Sequence, residues 1–234
     1  MRRKPAPAAS PNQQTGRYAR VQQLWNLPAV VQDRYDLFSQ IVAAFLAEQP
    51  IGRCRFLEIG VWKPAILPNL VKRLGPVFDY VGVDPYGRLD SDPYQGMFWN
   101  SPEEADAVYD VARETFAAHD AKLLRSTSQA FFASNLDDFD IIFIDGDHRY
   151  QGCRDDCEAA LAHIRPGGLL IIDDYGNSFH PEVELAVRKF AEKHAGRIAQ
   201  AGWHPLFFRL DGMIAPVMLA FMCFQIAKPK RRST

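Results

Sequence analysis

The chain has 234 residues, 47% hydrophobic and 24% charged, the balance of an ordinary soluble globular protein. That excludes a collagen-like, coiled-coil or wholly disordered chain, and a chain this long folds without a disulfide or metal staple. The net charge of −1 is unevenly spread: nine basic residues crowd the two ends, leaving 18 basic against 28 acidic residues between them, which argues against a nucleic-acid groove.

Residues 1–20 are basic, carry Pro5, Pro7 and Pro11, and read as a flexible arm. They lack the apolar stretch of a secretory signal. Residues 21–52 form a helical extension. Within it Val30, Val31, Tyr35, Phe38, Ile41, Val42, Phe45 and Leu46 recur every three to four residues, which predicts a helix over 29–47. Pro50 and Gly52 end it.

The domain proper runs over 53–227. "CRFLEIGV" is a first buried strand, 66–74 a helix stopped by Gly75 and Pro76, and "DYVGVD" a second strand. Residues 86–104 form a long irregular loop, and a loop of that length is usually functional. Its Tyr94, Phe98 and Trp99 are candidates to line a pocket, while Trp62 and Trp203 suit core or lid positions. A helix follows over 103–119, then the strand "AKLLRS" and a short helix over 128–135. "FDIIFID" is a fourth strand, 151–164 a helix, "LLIIDD" a fifth strand and 181–194 a helix. "HPLFFRL" and "VMLAFMCFQIA" close the domain as an antiparallel pair before a basic tail at 228–234. The longest apolar run, in the last strand, is too short for a bilayer, which needs ~20 residues.

Near-continuous apolar strands alternating with helices are buried on both faces, the pattern of a parallel sheet covered by helices. The expected fold is a doubly wound α/β domain with a mostly parallel seven-stranded sheet and antiparallel C-terminal strands. Ligands in such sheets bind beyond the carboxyl ends of the strands, near the switch in strand order. Those ends carry acids. Glu58 and Gly60 follow strand one, Asp84 ends strand two, and Ser128 and Gln129 follow strand three. Asp145, Asp147 and His148 follow strand four, and Asp173 and Asp174 end strand five.

Asp84, about twenty residues past a glycine turn, suits the ribose hydroxyls of an adenosine cofactor, or else a turn before Pro85. Asp145, Asp173 and Asp174 would repel one another unless a cation sits among them, and oxygen ligands suit Mg²⁺, with Mn²⁺ or Ca²⁺ as alternatives. The other reading is a helix cap and a solvated acid. His148 has the ordinary pKa of a general base at neutral pH. Cys153 and Cys157, one helical turn apart, read as packing residues. All four cysteines are sparse and unframed, as in a reduced, cytoplasmic protein.

These strand ends, together with "FDIIFIDGDHRYQGCRDDCEAALAHIRPGGLLIIDDYG" and "YVGVDPYG", resemble the class I S-adenosylmethionine-dependent methyltransferases. Within them the chain is similar to the metal-dependent small-molecule O-methyltransferases, both catechol-type and macrolide-sugar-type. The resemblance implies that Glu58 and Gly60 support the methionine part of S-adenosylmethionine, Asp84 its ribose, and Ser128 and Gln129 its adenine, with Asp145 beside the cofactor. It implies Asp145, Asp173 and Asp174 as metal ligands and His148 or Asp145 as the proton acceptor from a small-molecule hydroxyl. It departs from the family at Pro64 and Ile66, where glycine and a hydroxyl residue are usual. That departure keeps open a domain on this fold that binds without turnover. Asp145-Gly-Asp147 also admits a metal-dependent glycosyltransferase. A nicotinamide enzyme is disfavoured because no second glycine precedes Gly75. A homo-oligomer is compatible with all of these.

Overall fold

The computed structural model describes residues 24, 25, 27, 33–49, 51–87, 99–210 and 213–228. The expected arm, the tail beyond Lys228, and Tyr94 and Phe98 lie outside the described residues.

Helix α1 (Arg34–Glu48) leads into strand β1 (Cys54–Ile59), helix α2 (Ile66–Leu74) and strand β2 (Phe78–Asp84). Helix α3 (Pro102–Ala118), strand β3 (Lys122–Arg125), helix α4 (Ser128–Ser134) and strand β4 (Phe139–Ile144) follow. Helix α5 (Tyr150–His163), strand β5 (Ile164–Ile172), helix α6 (Pro181–Lys193) and the hairpin β6 (Ile198–Leu210) and β7 (Met213–Ile226) complete the chain. The seven strands lie in the order β3-β2-β1-β4-β5-β7-β6. Strands β1 to β5 pair in parallel, and β7 runs antiparallel to both β5 and β6. This is the expected doubly wound sheet with an antiparallel end.

Local chemistry sets several boundaries. The Asp33 side chain accepts the Asp36 N–H at 2.6 Å and caps α1 ahead of Arg34, while Val30 and Val31 of the expected helix lie outside the described residues. Ser101 caps α3 in the same way, with Pro102 in the first turn. β5 begins earlier than expected because Ile164 pairs with Phe139 before Gly167 and Gly168. That leaves Asp173 and Asp174 just past the strand instead of within it. β6 also begins earlier, at Ile198, which pairs with Ile226 at the far end of β7.

All six residues of β4 are buried, as a strand covered on both faces requires. On one face Leu37, Phe38, Ile41, Val42 and Phe45 of α1 pack with Leu67, Leu70 and Phe116. The Phe38 ring stands edge-on to Phe143 at 4.7 Å and to Phe221 at 5.3 Å. Helix α1 is thus part of the main core, not an appendage to it. Helices α4, α5 and α6 cover the other face, where Cys153 and Cys157 are buried packing residues. Trp203 is half-buried against that second core. Among the described residues no helix is long and apolar enough to cross a membrane.

Candidate active site

Parallel register carries the ends of four strands to one level. Ile59 pairs with Val83 and with Ile144, and Ile144 pairs with Ile172. The next residues, Gly60, Asp84, Asp145 and Asp173, therefore stand in one rank. The Gly60 N–H donates to Val83 O (2.9 Å), the Asp145 N–H to Ile59 O (2.8 Å) and the Asp173 N–H to Ile144 O (3.0 Å). Strand order runs outward in both directions from the β1–β4 pair, so a crevice opens at this rank. It holds a cavity of about 510 Å³, within the range of small-molecule sites. Glu58, Gly60, Asp84, Ser128, Gln129 and Asp145 all line it, as do His148, Trp62 and the buried Trp99. Asp173 and Asp174 are not in its wall; they are buried and meet it through Arg34 and His148, which are.

Gly60 has φ +83°, and a Cβ there would lie 2.1 Å from the Asp145 carbonyl oxygen, so only glycine lets the β1 turn pack on the β4 end. The same turn is held by Asp84. Its Oδ2 accepts the Val61 and Trp62 N–H groups, each at 2.9 Å, and its Oδ1 accepts the Tyr86 N–H at 2.8 Å. The Tyr86 hydroxyl donates back to Trp62 O at 3.1 Å. Asp84 is therefore first a clamp between two loops. Because this clamp holds the turn, the missing N–H of Pro64 is no loss to it. Ala65 at the start of α2 offers no side-chain cap, and Ala65 and Ile66 face the cavity. The first-turn N–H groups there are those of Ile66 and Leu67, since Pro68 has none.

Glu58 is buried and accepts the Tyr80 hydroxyl at 2.8 Å; burial pushes its carboxyl up to about 8 against that hydrogen bond. At the other end of the cavity Ser128 Oγ donates to Asp156 Oδ1 at 2.5 Å. Burial pushes Asp156 up to about 7, with Ser128 opposing. Asp156 was not expected at the site, although an acid on the apolar face of α5, beside Cys153, Cys157 and Ala160, is a readable signal.

The acids after β4 and β5 do converge, and two cations stand among them. Arg34 Nη2 donates to Asp145 Oδ2 at 3.3 Å and also to Asp173 Oδ2. His148 Nε2 lies 2.9 Å from Asp174 Oδ2 and 3.6 Å from Asp145 Oδ1. Burial opposes the charge on Arg34, but Asp173 and Asp145 outweigh it and hold the guanidinium protonated. Burial and Asp145 raise the Asp173 carboxyl against the pull of Arg34. Asp174, with φ +55°, is turned towards His148 and is fixed by Asn177 Nδ2, which donates to its Oδ1 at 2.9 Å. His180 Nε2 approaches the same carboxylate at 3.9 Å.

Burial alone would lower His148, but Asp145 and Asp174 push it up to about 10, so at neutral pH it is a cation and not a free base. The cluster offers the oxygens a divalent ion prefers, yet the space between Asp145 and Asp173 holds the Arg34 guanidinium. A divalent ion does not fit there without displacing it. Asp147 lines the cavity beside Asp145 and accepts Arg149 Nη2 at 2.5 Å. Arg34 was not expected at the site, although it stands one turn before Leu37 and Phe38 on the buried stripe of α1, and a charge on an apolar stripe is a readable signal.

The methyltransferase-domain family matches residues 57–175, the stretch from β1 past the end of β5. Solved structures share the fold. The O-methyltransferase TomG of Streptomyces achromogenes, involved in tomaymycin synthesis and solved with S-adenosylmethionine, is 16% identical, with 92% of this chain and 86% of that one covered at a TM-score of 0.52. The Bacillus cereus O-methyltransferase, solved with S-adenosylhomocysteine, is 19% identical over 91% and 88% at 0.50. The N-methyltransferase NodS of Bradyrhizobium japonicum, also with S-adenosylhomocysteine, is 14% identical over 92% and 97% at 0.54. At such identities these likenesses show the fold. An uncharacterized protein of Acanthamoeba polyphaga mimivirus is 40% identical over 60 residues, a match spanning 25% of this chain and 27% of the viral protein.

Proposed function

This chain belongs to the methyltransferase-domain family, and from that premise we propose that it transfers the methyl group of S-adenosylmethionine to a hydroxyl oxygen of a small molecule or sugar. The observation that carries this reading is the rank Gly60, Asp84, Asp145 and Asp173 at the strand switch, opening on a cavity of about 510 Å³.

The residues fit the cofactor. The start of α2 and the glycine turn suit the methionine end, Asp84 on the cavity wall the ribose, and Ser128, Gln129 and Asp156 the adenine. When bound, S-adenosylmethionine supplies an electrophilic methyl that needs alignment more than activation. Protein groups then do three things. Trp62 and Trp99 wall the cavity against water. His148 and Arg34 present positive charge to the acceptor oxygen as it loses its proton. Asp145, beside both and on the cavity wall, takes that proton. His148 in its charged form cannot, so of the two expected acceptors Asp145 is favoured.

Calorimetric titration of the full chain with S-adenosylhomocysteine, followed by transfer of labelled methyl into a panel of phenols and sugars, tests the reading. Micromolar binding and label in an ether oxygen are expected. Absence of binding, or label on nitrogen alone, overturns it.

A further inference from the structure

Arg34 reaches the strand ends from far away in the chain, 111 residues before Asp145 and 139 before Asp173. Its helix cannot shift easily, because Leu37, Phe38 and Ile41 of the same helix are buried in the main core. Its guanidinium carbon lies 5.7 Å from the Tyr35 ring and 6.0 Å from the buried Phe221 ring, so both aromatic faces favour a cation there. Its Nε is buried and has no acceptor among the described residues. The two carboxylates, not the packing around Nε, thus set the position of the group. Asp173 itself is almost wholly buried, its side chain 2% exposed, and a carboxylate so placed needs a fixed partner.

A divalent ion at the same place would need several oxygen ligands in a tight shell. Asp145 Oδ2 and Asp173 Oδ2 are the oxygens that would supply it, and both face Arg34 Nη2. Two cations cannot share that gap. The guanidinium is planar, permanently charged and matched to two carboxylates at once.

We propose that Arg34 is the resident cation of the Asp145–Asp173 pair, in place of a divalent ion, and that its charge faces the acceptor oxygen from the cavity wall. The first half stands on the geometry alone; the second rests on the methyl-transfer reading.

The test titrates the full chain with Mn²⁺ by calorimetry, as wild type, Arg34→Gln, Arg34→Lys and Asp173→Asn, with S-adenosylhomocysteine titrated in parallel. The wild type is expected to bind no Mn²⁺ at the Asp145–Asp173 pair below the millimolar range, so any tighter binding, as at His148, Asp174 and His180, should be left unchanged by Asp173→Asn. Arg34→Gln leaves the carboxylates uncompensated and should bind Mn²⁺ at least ~10-fold tighter. Adding Asp173→Asn to it should remove that gain, and Arg34→Lys should fall between. Micromolar Mn²⁺ binding by the wild type that Asp173→Asn abolishes overturns the proposal, whether or not Arg34→Gln folds. A folded Arg34→Gln protein that gains no Mn²⁺ binding also overturns it. Loss of S-adenosylhomocysteine binding by the wild type strikes at the methyltransferase reading instead and leaves the Mn²⁺ result to stand for itself.

Discussion

Replacing Asp84 with Asn should unlatch the two loops that frame the cavity, before any ligand is present. The carboxylate accepts three backbone N–H groups at 2.9, 2.9 and 2.8 Å and is 7% exposed. An amide has a single acceptor oxygen. If it keeps facing Val61 and Trp62, its NH₂ is set against the Tyr86 N–H, donor to donor. One charge-assisted bond is then lost and one buried N–H is left unmet, a cost of about 2–3 kcal/mol. For a domain of this size each kcal/mol moves Tm by ~2–4 °C, so thermal unfolding of the ligand-free protein should fall by about 5–10 °C. Circular dichroism melts of wild type and Asp84→Asn would measure it, with S-adenosylhomocysteine titrations showing a further loss of affinity. A melting point within ~2 °C of wild type, alongside lost affinity, would refute the clamp and leave Asp84 as a ligand contact only.

Three further outcomes follow from the site. Gly60→Ala forces a β-carbon to 2.1 Å from Asp145 O at φ +83°; it should destabilise the fold by more than ~3 kcal/mol or prevent soluble expression, and urea unfolding measures this. Asp145→Asn should cut methyl transfer by ~10²-fold or more while S-adenosylhomocysteine binding stays within a few-fold, as paired rate and calorimetric assays would show. Glu58 binds its proton more tightly folded, near 8, than unfolded, so its contribution is full below the usual carboxylate range and is lost as pH rises towards 8. Glu58→Gln cannot ionise, so its melting point relative to wild type should climb from pH 5 to pH 8; a constant difference would show that Glu58 titrates as an ordinary acid.

Much of this molecule is legible from local pattern. "FDIIFID" reads as a covered strand because every one of its positions in β4 is buried, and the strand ends follow from where apolar runs stop. Once the strands are parallel and neighbouring, acids at those stops must meet, and Glu58, Gly60, Asp84, Ser128, Gln129 and Asp145 do line one cavity. The length of β6 depended on how far β7 offered a partner, which no local window contains.

What pattern could not reach was the company each acid keeps. Asp84 looks the same in sequence whether it holds a ribose or three backbone N–H groups. His148 looks like a neutral base until Asp174 and Asp145 are found beside it. Arg34 is one more polar residue on a helix until packing of Phe38 against Phe143 and Phe221 brings that helix over the strand ends. Periodicity and turn chemistry act over a few residues and so are written locally. Charge states and counter-ions arise between groups on different elements, more than a hundred residues apart for Arg34 and its two acids, and only the folded chain brings those together.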